Sequence, residues 1–303
     1  MEIAAPGRPA RRIVTPPRRS PMPKKRAARD PRRTITAECC PLPRVLPSPA
    51  EGIMRPSPGR MSTTRRCPNL SGMEVRGYEI GAGVDLAGAD LTDSDLRSVD
   101  LSGSWLGGAV LSGSDLSDAR LIGADLRHAI CRGTVFADAD LHHANFWSAD
   151  LSDARMGGAM LSRAWLGSAR LTGTDLRSAD MGGAWLIAAD LTSALLGGSI
   201  LAGASLTRTC MRDCDLTGAF AGGADFRSAM LNGATIRAAN LSGANLRGAS
   251  LIQVDLSLTD LMGADLTDAQ LDGVILDGIR HDDTTLWPDG FEPPSSGGLD
   301  DHD

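Results

Sequence analysis

The stretch Ala239-Asn240-Leu241-Ser242-Gly243-Ala244-Asn245-Leu246-Arg247-Gly248-Ala249-Ser250-Leu251 repeats itself every five residues. A small residue, a polar residue and a leucine come in that order, followed by two residues that are often small or flexible. Followed outward in both directions, the large position never slips. It runs from Leu86 to Leu276, 39 positions without an insertion or deletion, filled by Leu, Met, Phe, Ile or Cys131, with Ala221 the only small exception. Two residues before each large one lies a second series, beginning Val84, Ala89, Ser94, Val99 and Ser104, made almost wholly of Ala, Ser, Thr, Val or Cys. The position between the two series is often Asp or Asn. Glycine is common two residues after the large one, as at Gly88, Gly113 and Gly243.

A period of five fits neither an α-helix nor a flat strand. On a helix the leucines would rotate by about 140° per step and smear around the surface; on a strand they would alternate faces. The pattern closes only if the backbone turns a corner in every repeat, so that the large and small residues both point inward. Four such sides make a square coil of about 20 residues, and stacked coils pair their backbone groups at roughly 4.8 Å. The 39 repeats then give nearly ten coils and a body on the order of 45–50 Å long. A narrow interior explains the composition, with 35 Gly and only 4% aromatics, because Leu stacks on Leu and a second large side chain would overpack it. Each coil lacks a core until its neighbours cover it.

Ala124-Asp125-Leu126, Ala244-Asn245-Leu246 and Ala264-Asp265-Leu266 resemble the A-(D/N)-L-x-x motif of the pentapeptide-repeat proteins, over about 65% of the chain. The resemblance implies an all-β fold, a right-handed quadrilateral β-helix. It also implies a non-enzymatic role. Some members of that family are DNA mimics that bind type II topoisomerases and protect them from inhibitors. Several of those relatives carry loops inserted in the repeat and a C-terminal dimerisation helix; this repeat is uninterrupted, and no such helix is visible in its sequence.

The flanks differ from the repeat. Residues 1–66 hold 13 of the 17 prolines and no apolar periodicity, so a disordered basic segment is expected. Charge is divided unevenly: residues 1–70 carry a balance of +12 and the remainder −18. The basic segment has four readings: a contact with nucleic acid or anionic lipid, a linker, a partner for the acidic body, or untranslated sequence, since Met54, Met61 and Met73 offer later starts. Residues 67–83, where Leu70, Val75 and Ile80 keep the period one residue out of phase, are expected to form an irregular first coil or cap. Residues 84–279 form the solenoid. Residues 280–294, with Trp287 and Phe291, are expected to cap its far end, and 295–303 to fray as an acidic tail.

Function must lie on the outward positions. The residue before each large one appears once per side, so residues 20 apart should stack. One such column holds Asp85, Trp105, Asp125, Asn145, Trp165, Trp185, Ser205, Asp225, Asn245 and Asp265. Three of the five tryptophans fall in it, and exposed Trp is a common anchor for a partner protein. The competing reading is that a Trp at a corner packs sideways over the repeat. Trp105, Trp165 and Trp185, with Asp125, Asp225 and Asp265, form the candidate partner-binding surface.

Chemistry is scarce. The six cysteines form no paired C-x-x-C ladder, which suits a reducing compartment, with the cytoplasm as the default. No apolar run approaches 18 residues, so no membrane span is expected. The histidines His128, His142, His143, His281 and His302 build no metal motif, and Cys210 and Cys214 do not pair convincingly. No catalytic residue, cofactor or metal is expected, and the acidic solenoid is not expected to bind nucleic acid directly. The readings that remain are a protein-binding scaffold with a partner of unknown identity, a topoisomerase-binding DNA mimic, and a structural repeat without a dedicated partner.

Overall fold

The computed structural model describes residues 73–294, so the expectations for 1–66 and 295–303, and the first residues of 67–83, fall outside the described part. The described chain opens on a hairpin, β1 (Met73–Val75) and β2 (Tyr78–Ile80), paired antiparallel with Met73 opposite Ile80 and Val75 opposite Tyr78. Its turn residues Arg76 and Gly77 both have positive φ, as a two-residue hairpin turn of the twist-matching kind requires. Ile80 drops into the core, and Arg76 ties the hairpin to the next coil by a 2.9 Å bond to Asp90.

From Asp85 onward, single residues pair in parallel with the residue 20 positions later: Asp85 with Trp105, Asp90 with Val110, Asp95 with Asp115, Asp100 with Arg120, and so on up the chain. Four ladders offset by five residues are the four sides of a β-helix. Among the described residues, the only strands of regular length are the two in the hairpin. A corner every five residues leaves each side only one bridge wide.

The corner has a fixed geometry. The N–H of Ala89 bonds to the carbonyl of Leu86 at 3.0 Å, closing a β-turn whose third residue, Gly88, has a φ of 69°. A positive φ at that position alone is the type II pattern, which glycine accommodates most readily. Asp93 and Ser98 adopt it too, at 52° and 57°.

The backbone donors of one repeat can be followed individually. Leu86 donates forward to the Trp105 carbonyl, Gly88 forward to Gly107, Trp105 back to Val84, and Ala89 into its own turn. That leaves the residue after the leucine. Its N–H is taken by the side chain at the polar position: Ala87 donates to Asp85 Oδ1 at 3.1 Å, and the same bond recurs at Asp100, Asp115, Asn145 and Asn240. The Asp or Asn of the motif is therefore the acceptor for the one donor that the ladders cannot satisfy.

The interior is the large and small series, nearly all of them less than a tenth exposed, including Ala221, Cys131 and Cys214. Phe136 and Phe146 meet edge to face at 5.9 Å. Where the small position carries a hydroxyl, it usually reaches the previous coil. Thr134, Thr174 and Thr259 donate to the carbonyls of Leu111, Leu151 and Ile236, each 23 residues earlier. Ser94 and Thr209 instead donate locally, to the carbonyls of Thr92 and Leu206, and the buried hydroxyl of Ser199 is unpartnered.

The far end slips by one residue: Asp265 pairs with Leu286 rather than with the residue 20 later. Trp287 packs against the core, stacked on Phe291 at 5.3 Å and met edge-on by His281 at 5.5 Å.

Candidate interaction surface

The Trp column is one ladder. Bridges run from Trp105 through Asp125, Asn145, Trp165, Trp185, Ser205, Asp225 and Asn245 to Asp265. Within it, Trp165 and Trp185 stack with ring centroids 5.2 Å apart and planes 12° from parallel. Trp185 is 43% exposed. Trp105 stands on the same side but is separated from Trp165 by Asp125 and Asn145, so the three tryptophans do not form one cluster.

The three aspartates are not free. Arg127 clamps Asp125 through two guanidinium bonds, at 2.8 and 2.7 Å, and its backbone N–H binds the same carboxylate. Arg227 treats Asp225 in the same way. Asp265 accepts the backbone N–H of Thr267 at 2.9 Å. Burial would raise the Asp125 carboxyl, but the Arg127 bonds outweigh it and leave it below the ordinary range. The Arg227 bond does the same for Asp225, and the Thr267 hydroxyl for Asp265. The Asp-Leu-Arg and Asp-Phe-Arg triplets at 95–97, 125–127, 175–177 and 225–227 thus neutralise their own charge.

The sequence reading missed Trp147. It sits one residue past Phe146, at a corner, and is only 7% exposed. Its ring lies over Gly167, where an added Cβ would overlap it. The signal was present: a glycine stands 20 residues after the tryptophan, leaving the space the ring fills. Trp147 therefore packs sideways over the repeat, whereas Trp185 stays open to solvent.

The remaining reactive groups are dispersed. Burial pushes the Cys131 and Cys214 thiols up, away from thiolate chemistry. Cys210 Sγ lies 3.2 Å from the Thr192 hydroxyl. His142 bonds to Asp140 at 2.6 Å, while His128 and His143 stand at turn tips on different corners. Among the described residues no three His, Cys, Asp or Glu converge on a metal-sized site, and no helix is long and apolar enough to cross a membrane.

The family described as Pentapeptide repeats matches in eight copies, over segments running from 82–113 to 239–278. Among solved structures, the chain is similar to HetL, a pentapeptide-repeat protein involved in heterocyst differentiation regulation from the cyanobacterium Nostoc sp. strain PCC 7120. That match has 32% identity, 67% of this chain, 92% of that chain and a TM-score of 0.46. It is also similar to Rfr23 from the cyanobacterium Cyanothece 51142, at 32% identity over 37% of this chain and 63% of that one, with a TM-score of 0.28. QnrB1, a plasmid-mediated fluoroquinolone resistance protein, matches at 21% identity over 64% of this chain and 92% of that one, with a TM-score of 0.35. No curated protein sequence matches.

Proposed function

Since this chain belongs to the pentapeptide-repeat family, we propose that it is a non-enzymatic docking solenoid of nearly ten coils, which holds a partner protein against its Trp165–Trp185 face. One observation carries this reading. Trp185 stands 43% exposed on a half-buried Trp165, ring centroids 5.2 Å apart, although Trp147, in the coil below Trp165, shows that the solenoid can bury such a ring. An exposed tryptophan backed by a second ring in a rigid frame loses little conformational entropy on binding, which is the usual property of an interface anchor. Tryptophan also offers no acceptor for the N–H that Asp or Asn satisfies elsewhere, so these positions give up part of the fold's own hydrogen bonding. The hairpin at one end and the Trp287–Phe291 stack at the other act as caps that keep the column accessible and the ends from pairing. The cytoplasm is the compartment that suits its cysteines.

The test is affinity capture by the full chain and by W165A/W185A from the native host. The expected outcome is a partner held by the parent and lost by the variant, with circular dichroism unchanged. An identical capture profile for both would sink the Trp-centred reading.

A topoisomerase-binding DNA mimic is the second reading, and it rests on the −18 balance of residues 71–303. Much of that charge sits in motif aspartates that accept a backbone N–H or hold an arginine, which leaves less unbroken negative potential than the count suggests. Protein at micromolar concentration that leaves gyrase supercoiling and its drug inhibition unaltered would remove this reading. Loss of capture without any solution change in the fold would in turn argue against a structural repeat with no dedicated partner.

A further inference from the structure

The side of the solenoid next to the tryptophans carries a second apolar feature. After Asp100 and Arg120 its ladder reads Asp140, Met160, Asp180, Ile200, Phe220, Asn240, Asp260 and Arg280, each bridged to the next. Ile200 and Phe220 are direct neighbours in it, 41% and 56% exposed. Both corners beside them are nearly bare of side chains. Gly197, Gly198, Thr217 and Gly218 line one, with the Thr217 hydroxyl turned onto Asp215, and Ala202, Gly203, Gly222 and Gly223 the other. The two apolar side chains therefore stand up from a flat backbone surface. Like tryptophan, Ile and Phe offer no acceptor for the N–H that follows the large residue, so the fold gains nothing from having them there. A flat face with two central apolar groups fits another flat face.

We propose that this side is a homodimer interface, in which a second copy of the chain packs antiparallel with the two-fold axis in the interface plane, across the ladder, between Ile200 and Phe220. That register sets Ile200 against Phe220 of the second copy, Asp180 against Asn240, Met160 against Asp260, and Asp140 against Arg280. No carboxylate in the ladder meets another carboxylate. Alternative registers do worse. A parallel pairing sets Asp140, Asp180 and Asp260 each against itself. Centring the axis on Phe220 sets Asp180 against Asp260, and centring it on Ile200 sets Asp180 against Phe220. Like charges placed directly opposite are destabilising. At one corner, Arg177 faces Arg237 of the second copy, but Arg177 is already clamped by Asp175; further along the same corner Asp138 lies opposite the turn that carries Asp277, the one place where this register brings two carboxylates near each other. Eight residues stacked at about 4.8 Å on a side about 13 Å wide contribute roughly 500 Å² per copy, close to the lower bound of about 1,000 Å² for a specific interface. The dimer is therefore small in contact area, and it is distinct from the Trp face and leaves it open.

The test is the mass of the full chain in solution, by sedimentation across the micromolar range. The parent is expected to move from 31.7 kDa toward twice that value as concentration rises. Phe220→Asp should stay monomeric throughout while melting as the parent does, because the position is exposed. W165A/W185A should dimerise like the parent. Register is read by cross-linking, with Cys39, Cys40 and Cys67 changed to serine. A mixture of I200C and F220C should form a disulfide-linked pair, whereas neither alone should. A parent that stays monomeric at high micromolar concentration would overturn the proposal. So would an F220D dimer as strong as the parent's, a W165A/W185A chain that no longer dimerises, or self-linking of either single cysteine variant.

Discussion

Trp185 and Leu186 are covalent neighbours, yet they belong to two regions under opposite rules. Leu186 is fully buried in the interior column, whose members are nearly all Leu, and Trp185 is 43% exposed in an outward ladder that admits Trp, Asp, Asn or Ser. The inner wall is uniform because every coil must match the coil above and below it at interior packing density. The outer wall must only close a β-turn, which many residues can do. The uniform region therefore reports shape and the variable one reports purpose.

The largest way to break that contrast is to put an outer residue inside. Leu186→Asp buries a carboxylate with no partner, and the chain is expected to lose its cooperative melt altogether. Leu186→Ala leaves a cavity that neighbours cannot fill and should cost about 3 kcal/mol, read as a shift in the thermal or denaturant midpoint. The matching outer change, W165A/W185A, should move that midpoint little. If the two walls prove equally sensitive, the division fails.

A second change tests an outer residue that behaves as an inner one. Gly167→Ala would drive a methyl into the Trp147 ring and should cost about 1–3 kcal/mol, with a change in tryptophan emission. Adding Trp147→Ala should recover part of the loss. A double variant no better than the single would mean that Gly167 serves some need other than room for the ring.

Smaller effects refine the inner wall. Thr174→Val removes a hydroxyl that bonds to the Leu151 carbonyl at 2.8 Å and should cost about 1 kcal/mol. Ser199→Ala should cost nothing or stabilise slightly, because its buried hydroxyl has no partner to lose. Equal losses in both would show that the bond spanning 23 residues is not what the threonine provides.

Acid tests the outer wall. The Arg97 side chain, aided by its backbone N–H, draws the Asp95 carboxyl down from the ordinary 3.8 to about 2, and the Arg177 and Arg227 side chains lower Asp175 and Asp225. A carboxyl that is more acidic when folded contributes its full share above the unfolded value and loses it as pH falls through the folded one. Melting temperature should thus decline between about pH 4 and 2, and less steeply in the D95N/D175N/D225N variant. A flat profile for the parent would show that these clamps are too solvated to contribute.

Much of the solenoid was legible because its period is a covalent property. Five residues per corner and 20 per coil can be counted in the sequence, and inside and outside follow from the size of the side chain. The stacking of Trp165 on Trp185 came from the same count, since positions 20 apart must meet. The small series also placed Cys214 inside. It did not distinguish Trp147 from Trp185, because burial at a corner depends on whether the residue above leaves room, as Gly167 does. It overstated Asp125 and Asp225 as surface charges, because neutralisation depends on which rotamer the following arginine adopts. Nor did it single out Ile200 and Phe220, whose significance comes from the bare corners around them.

The amino-acid sequence by itself determined the repeat, the coil and the two walls, because a periodic chain that must bury one side chain in five has few ways to do so. Only the tertiary structure decided which outward groups are spent on the fold and which are left to face something else. Asp125 is held by Arg127, Trp147 is covered, and Trp185 and Phe220 are not. The physical reason is distance along the chain: an outward side chain is satisfied or left open by neighbours one coil away, and these meet it only after the chain has turned four corners.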